Sequence, residues 1–192
     1  MDGIKYGKIA DFVHLLINES YGGKEGIQFV DATCGNGFDT LFLCKVAGIN
    51  GHVSAFDIQD MAVERTAALL NSNLEFKNYD IIKDSHENIG QYISGKIDAA
   101  IFNLGYLPFS DTTVTTNPET TYNAIKNILP ILNNDGRIYV TTYITQYSGH
   151  EIKEISPLLS TLNKRDYNVI HINIINKENV PPELFIIEKM HD

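Results

Sequence analysis

Cysteine is scarce in this chain. Cys34 and Cys44 are the only two in 192 residues, too few for a disulfide framework and wrongly spaced for a metal site. Cys34 stands in a loop and Cys44 in an apolar helical run, so both read as small core-type residues. Basic charge is scarce as well: 15 Lys and Arg stand against 24 Asp and Glu, a formal net charge of −9. Lys164-Arg165 is the only adjacent basic pair. This balance argues against a broad nucleic-acid-binding face, so an RNA partner would be held through few contacts centred on the reacting nucleotide. Long hydrophobic runs are missing too. None approaches the roughly 20 residues of a membrane span, and the N-terminus lacks the basic start and apolar core of a signal peptide. The expectation is a cytoplasmic protein with no membrane attachment and no metal.

No repeat, low-complexity tract or interdomain linker interrupts the chain, and its 43% hydrophobic and 20% charged content is ordinary for a globular protein. One domain over residues 1–192 is expected, with 1–22 forming a helix that packs on the core. Residues 4–20 place Ile9, Phe12, Val13, Leu16 and Ile17 on one helical side. Strands then alternate with helices. "GIQFVD" is the first strand, and a helix over 38–47 stops at Gly48. "HVSAFDI" is the second, followed by a helix capped by Asp60 with Val63, Ala67 and Leu70 inward. "NLEFKN" reads as the third strand, then a short helix over 87–93, and "KIDAAIFN" as the fourth. Asn117 and Pro118 open a helix with Tyr122, Ile125, Leu129 and Leu132 on its inner stripe. "NNDG" reads as a turn into the fifth strand, "RIYVTTYIT", and Ser156-Pro157 as a restart or bend in the helix after it. Two β-rich runs, "DYNVIHINII" and "ELFIIEK", close the chain. The expectation is an α/β fold: a seven-stranded, mostly parallel sheet with an antiparallel hairpin at one edge and helices on both faces. That layout resembles the Rossmann-like sheet of class I methyltransferases.

In such a sheet, ligands bind beyond the carboxyl ends of the strands. "DATCGNGFDT" follows the first strand there, with Thr33, Gly35, Asn36 and Gly37 forming a tight turn open to a ligand. Asp57 ends the second strand, twenty residues after Gly37, where a carboxylate can accept both ribose hydroxyls of an adenosine cofactor. Thr40 stands where a small residue is expected beneath a pyrophosphate, and Asp39 stands at the start of the helix. Asp39 and Asp31 would repel a pyrophosphate but suit the ammonium and sulfonium of S-adenosylmethionine. Ile58 and Gln59 are placed to touch the adenine. Asp84, Ser85 and His86 are candidates for its edge, with a surface or capping role open for His86.

"IFNLGYLPFSD" starts as a buried strand and breaks at Asn103. The stretch resembles the Asn-Pro-Pro-Tyr loops of methyltransferases that act on exocyclic amines of nucleobases. In those loops the Asn amide oxygen and a following carbonyl accept hydrogen bonds from the amine, and the aromatic ring stacks on the base. Asn103 and Tyr106 keep that spacing, with Leu104 and Gly105 between them in place of the prolines. Asp111 is a candidate proton acceptor or a solvated turn acid. Tyr143, Tyr147 and His150, after the fifth strand, are candidates for the acceptor pocket or for ordinary packing.

Together, "DATCGNGFDTLFL", "FDIQ", "DSHENI", "FNLGYLP", "TTNPETT" and "PPELFIIEK" resemble the bacterial tRNA 5-aminomethyl-2-thiouridine methyltransferases, proteins long labelled rRNA methylases. The resemblance implies methyl transfer from S-adenosylmethionine to the aminomethyl nitrogen of the modified wobble uridine, with the tRNA anticodon arm as partner; a homodimer is compatible with it. Phe109-Ser110 stand where that family usually carries Gly-Gly. Transfer to rRNA or to a small-molecule amine, and a non-catalytic adenosine-binding role, are the competing readings.

Overall fold

The computed structural model describes residues 8–105, 117–143, 151–176 and 181–191. Seven strands form one sheet: β1 (Gln28–Asp31), β2 (His52–Asp57), β3 (Tyr79–Lys83), β4 (Ile97–Leu104), β5 (Leu132–Thr142), β6 (Tyr167–Ile172) and β7 (Glu183–Lys189). Their order is β3-β2-β1-β4-β5-β7-β6. The first five are parallel, while β7 runs antiparallel to both β5 and β6. Strand order reverses between β1 and β4, which opens a crevice above their carboxyl ends. Six α-helices among the described residues accompany the sheet: α1 (Ile9–Tyr21), α2 (Phe38–Ala47), α3 (Asp60–Asn73), α4 (Ile89–Tyr92), α5 (Pro118–Ile128) and α6 (Glu151–Ser160). No described helix is long and apolar enough to cross a membrane.

Alternation along the strands sorts the core into two layers. Phe29, Val53, Ala99, Ile101, Tyr139, Leu184 and Ile186 pack with Ile9, Val13 and Ile17 of α1, Leu43 and Cys44 of α2, and Leu70 of α3. Val30, Phe56, Ala100, Phe102, Leu104, Ile138, Val140, Phe185 and Ile187 pack with α4, α5 and α6 on the opposite face. With Ile101 on the α1/α2 side and Phe102 on the other, Asn103 is turned to the α1/α2 side. The parity of β4 thus aims the residue before any loop is considered.

Several elements depart from the sequence reading. "NLEFKN" is not the third strand: α3 runs through Asn73 and pairing begins only at Tyr79. Asn78 explains the delay. It is buried, and its amide donates to the carbonyls of Cys44 (2.9 Å) and Gly48 (2.8 Å), closing the end of α2 instead of extending a strand. On α3 the buried stripe is Ala62, Thr66 and Leu70, one position from the expected Val63 and Ala67. Asp60 accepts no capping bond there and pairs with Lys83 at 2.5 Å. On α5 the buried residues are Thr121, Ala124, Ile125 and Ile128, with Tyr122 only partly covered, whereas the Asn117 cap forms as expected, accepting from Glu119 N–H at 2.8 Å. "NNDG" lies inside β5 and does not precede it. The register moves from Ile97↔Leu132 to Ala99↔Arg137 across a bulge, with Asp135 at φ 59 and Asn133 donating to the Asp98 carboxylate at 2.8 Å. Helix α6 continues through Pro157.

Helix α1 is the element with no place in the strand–helix alternation, and it is pinned at its C-terminal end. Tyr21 Oη donates to the Asp98 carbonyl at 2.9 Å. Arg137 donates to Ser20 Oγ at 2.6 Å while also pairing with Glu188 at 2.6 Å.

Candidate active site

Three strand ends and the N-terminus of α2 build the head of the sheet. The loop after β1 is tied to both neighbouring strands: Ala32 N–H donates to Ile101 O and Cys34 N–H to Phe56 O, each at 2.9 Å. Gly37 then turns with φ 83, a left-handed conformation that favours glycine. A Cβ at this position would stand 2.9 Å from Thr66 Cα and 3.2 Å from its Cβ. The loop therefore lies directly on α3, and Thr66 Oγ1 donates to Gly35 O at 3.2 Å. Gly37→Ala is expected to destabilise the protein by about 2 kcal/mol through combined backbone strain and overlap. Urea denaturation checks this, and wild-type stability would show that loop and helix are not so closely packed.

Asp31 ends β1 completely buried. It accepts from Thr33 N–H at 3.1 Å and from Thr40 Oγ1 at 2.6 Å. Burial, reinforced by the neighbouring Asp39, pushes its carboxyl up to about 7 from an ordinary 3.8, against those two bonds. A carboxyl whose folded value is raised binds its proton more tightly in the folded state. Its contribution to stability is complete below the unfolded value and is lost as pH rises through the folded one. Asp31→Asn should accordingly gain stability relative to wild type as pH rises from 5 to 8 in thermal melts of the ligand-free protein. A pH-independent difference would contradict the raised value.

Asp57 ends β2 with both oxygens engaged by backbone: Gly35 N–H donates to Oδ2 and Gln59 N–H to Oδ1, each at 3.0 Å. Burial raises its carboxyl while these bonds lower it. Ile58 beside it is 54% exposed, an uncovered apolar surface next to a carboxylate. Gln59 is half-buried.

Asn103 closes the arrangement. Its backbone N–H donates to Thr33 Oγ1 at 2.7 Å, and its side-chain Nδ2 donates to Asp39 Oδ2 at 2.5 Å. The other Asp39 oxygen lies 2.5 Å from Nε2 of His14 on α1. Tyr143, at the end of β5, has its hydroxyl pushed up by burial and by the Asp39 carboxylate, and Gly105 lies beside it. The head of the sheet thus gathers Asp31, Asp39, Asp57 and Asn103, with one histidine from outside the strand–helix alternation.

Other candidate residues sit differently. Thr40 is fully buried with its hydroxyl directed to Asp31. Asn36 Oδ1 accepts from Arg65 at 3.0 Å. Leu104 is core, its side chain fully buried and its carbonyl accepting from Tyr143 N–H at 3.2 Å. Asp84 is engaged locally by Tyr92 Oη at 2.7 Å, Asn88 at 3.0 Å and Ser85 N–H at 2.7 Å, and these bonds hold its carboxyl below the usual range. Ser85 caps the short 3₁₀ turn over His86–Asn88. His86 is not a surface residue. It is buried edge-on against Phe102, ring centroids 5.7 Å apart, and burial lowers its basicity. Cys34 and Cys44 are buried free thiols whose ionisation burial pushes up, so neither is an activated nucleophile. Tyr106, Asp111, Tyr147 and His150 lie outside the described residues. Among the described residues, no group of three or more His, Cys, Asp or Glu is placed to hold a metal ion.

His14 was missed by the sequence reading. It lies 25 positions from Asp39 on an amphipathic helix, and no motif marks it. The one available signal was a polar ring beside the inner stripe of Ile9, Val13 and Ile17.

The chain as a whole is similar to known proteins. A family model described as "Putative rRNA methylase" matches residues 53–188. The chain is 31% identical over 177 residues to the "tRNA (mnm(5)s(2)U34)-methyltransferase, chloroplastic" of Arabidopsis thaliana, across 86% of this chain and 65% of that protein's length. Two solved structures superpose over 97% of this chain and 100% of their own. One, a "putative rRNA-methylase" from Clostridium thermocellum, has a TM-score of 0.91 at 36% identity. The other, a "putative methyltransferase" from Streptococcus mutans in complex with SAH, has a TM-score of 0.87 at 34% identity.

Proposed function

From its place in the family described as "Putative rRNA methylase", to which the chain belongs, and from the acidic site around Asn103, we propose that this protein is an S-adenosylmethionine-dependent methyltransferase. Its acceptor is the aminomethyl nitrogen of 5-aminomethyl-2-thiouridine at the wobble position of tRNA, presented on the anticodon arm. The donor's chemistry fits the side chains present. Asp57 would take the ribose hydroxyls and Ile58 the adenine face, while Asp31 and Asp39 put negative charge where a ligand with an ammonium and a sulfonium needs it. When bound, the donor supplies an electrophilic methyl group.

The observation that carries the reading is the orientation of Asn103. With Nδ2 donating to Asp39 at 2.5 Å, the amide's other end, Oδ1, is the one that can accept a hydrogen bond from an acceptor N–H. That bond turns the nitrogen lone pair. In-line displacement needs little else from the protein, because its rate is governed by alignment. An acceptor amine must arrive unprotonated, and an amide oxygen, which only accepts, does not protonate it.

Nucleoside mass spectrometry of tRNA and of rRNA, each after incubation with the protein and labelled donor, tests the proposal. Label on 5-aminomethyl-2-thiouridine supports it. Label confined to rRNA supports instead the second reading, which the family's description favours, and label on neither overturns both.

A further inference from the structure

His14 meets Asp39 from α1, and the contact is a built one. Its Nε2 lies 2.5 Å from Asp39 Oδ1, and its ring stacks on Phe42, one turn along α2, with centroids 3.8 Å apart and planes within 8°. Ring plane and nitrogen are thus fixed independently, one by stacking and the other by the carboxylate. The helix that carries the ring is held by Ile9, Val13 and Ile17 in the core and by Tyr21 and Ser20 at its end. An ionised carboxylate only accepts, so the imidazole nitrogen facing Oδ1 carries a proton.

Asp39 therefore has two different partners on its two oxygens, His14 on Oδ1 and Asn103 Nδ2 on Oδ2. An amide's two ends have almost the same shape and opposite hydrogen-bonding character. Flipping Asn103 would set its oxygen against Asp39 Oδ2, acceptor to acceptor, so the carboxylate selects one orientation. That selection is only as firm as the carboxylate's own position. A carboxylate with one partner can swing about its terminal torsion, which is broad, whereas one held at both oxygens cannot.

We propose that His14 is a positioning residue for methyl transfer: by holding Asp39 it fixes the Asn103 amide with its oxygen turned toward the acceptor amine. The inference rests on the role given to Asn103 under Proposed function.

His14→Phe separates the hydrogen bond from the packing, because it keeps a flat ring against Phe42 and removes the N–H donor. Expected is a fall in kcat of at least about fivefold with SAH affinity unchanged within about twofold, the size of one lost charge-assisted bond acting on orientation alone. His14→Gln, which restores an N–H donor, should recover part of the lost rate. A wild-type kcat in His14→Phe overturns the proposal, and so does a loss of SAH affinity as large as the loss of rate, which would assign His14 to donor binding. A readout independent of turnover is the Asn103 side-chain amide resonance, assigned by its disappearance in Asn103→Ala. It should move in His14→Phe, and an unmoved resonance overturns the proposal even if the variant is slow. Failure of the wild-type protein to label tRNA counts against the acceptor reading alone and leaves the amide resonance to decide the role of His14.

Discussion

Asn103→Ala is expected to slow methyl transfer about a hundredfold while changing SAH affinity by no more than about twofold, because misorientation of a reacting nitrogen by about 1 Å costs that much in rate. The split follows from where Asn103 stands. Its backbone N–H is bonded to Thr33 Oγ1 at 2.7 Å, a contact that alanine keeps, so the loop after β1 stays anchored to β4. Only the amide is lost, and with it the acceptor for the substrate N–H. Single-turnover rates at saturating donor, with separate SAH titrations, measure the two quantities independently. Equal losses in both would make Asn103 a donor-binding residue, and no loss in rate would remove the amide from the mechanism. The partner left behind, Asp39, retains His14 at 2.5 Å, so its carboxylate is not stranded and the fold should tolerate the change.

Asp57→Ala should weaken SAH binding by at least about tenfold, equivalent to roughly 1.4 kcal/mol. Two effects act in the same direction. Charge-assisted bonds to the ribose hydroxyls disappear, each worth more than a neutral pair. The loop also loses an internal acceptor, because Gly35 N–H donates to Asp57 Oδ2 at 3.0 Å. Asp57→Asn distinguishes them: its carbonyl oxygen can still accept from Gly35 N–H while the charge is gone. Affinity intermediate between wild type and alanine would show both effects. Calorimetric titration with SAH gives the numbers, and wild-type affinity in Asp57→Ala would exclude the end of β2 as the ribose site.

The parts of this fold legible in the sequence were those set by local chemistry. Gly48 ended α2 where expected, Asn117 and Pro118 opened α5, and short apolar runs marked β1, β2 and β4. The failures were tertiary. Asn78 reads as strand because it continues the alternation of Leu74 and Phe76, yet its side chain closes a distant helix through Cys44 and Gly48. "NNDG" has turn chemistry, and it does turn, but inside β5, because pairing with β4 resumes beyond it at Arg137. The polar cluster was legible in part for the same reason. Asp31 and Asp57 end their strands and Asn103 stands one residue before the end of β4, and strand ends gather at one edge of a parallel sheet. His14 belongs to a helix outside that alternation. Its approach to Asp39 depends on how α1 docks, through Tyr21, Ser20 and Arg137, and nothing in the local pattern encodes that.

The proposed methyl transfer depends on positive charge on the donor, negative charge at the head of the sheet and one oriented amide. A structure of the protein with SAH and a 5-aminomethyl-2-thiouridine nucleoside tests it most directly. Expected are the sulfur above the ends of β1 and β4, the ribose hydroxyls on Asp57, and the acceptor nitrogen hydrogen-bonded to Asn103 Oδ1 and facing the sulfur at near-attack geometry. A donor bound away from Asp57, or an acceptor nitrogen with no contact to that oxygen, would contradict it.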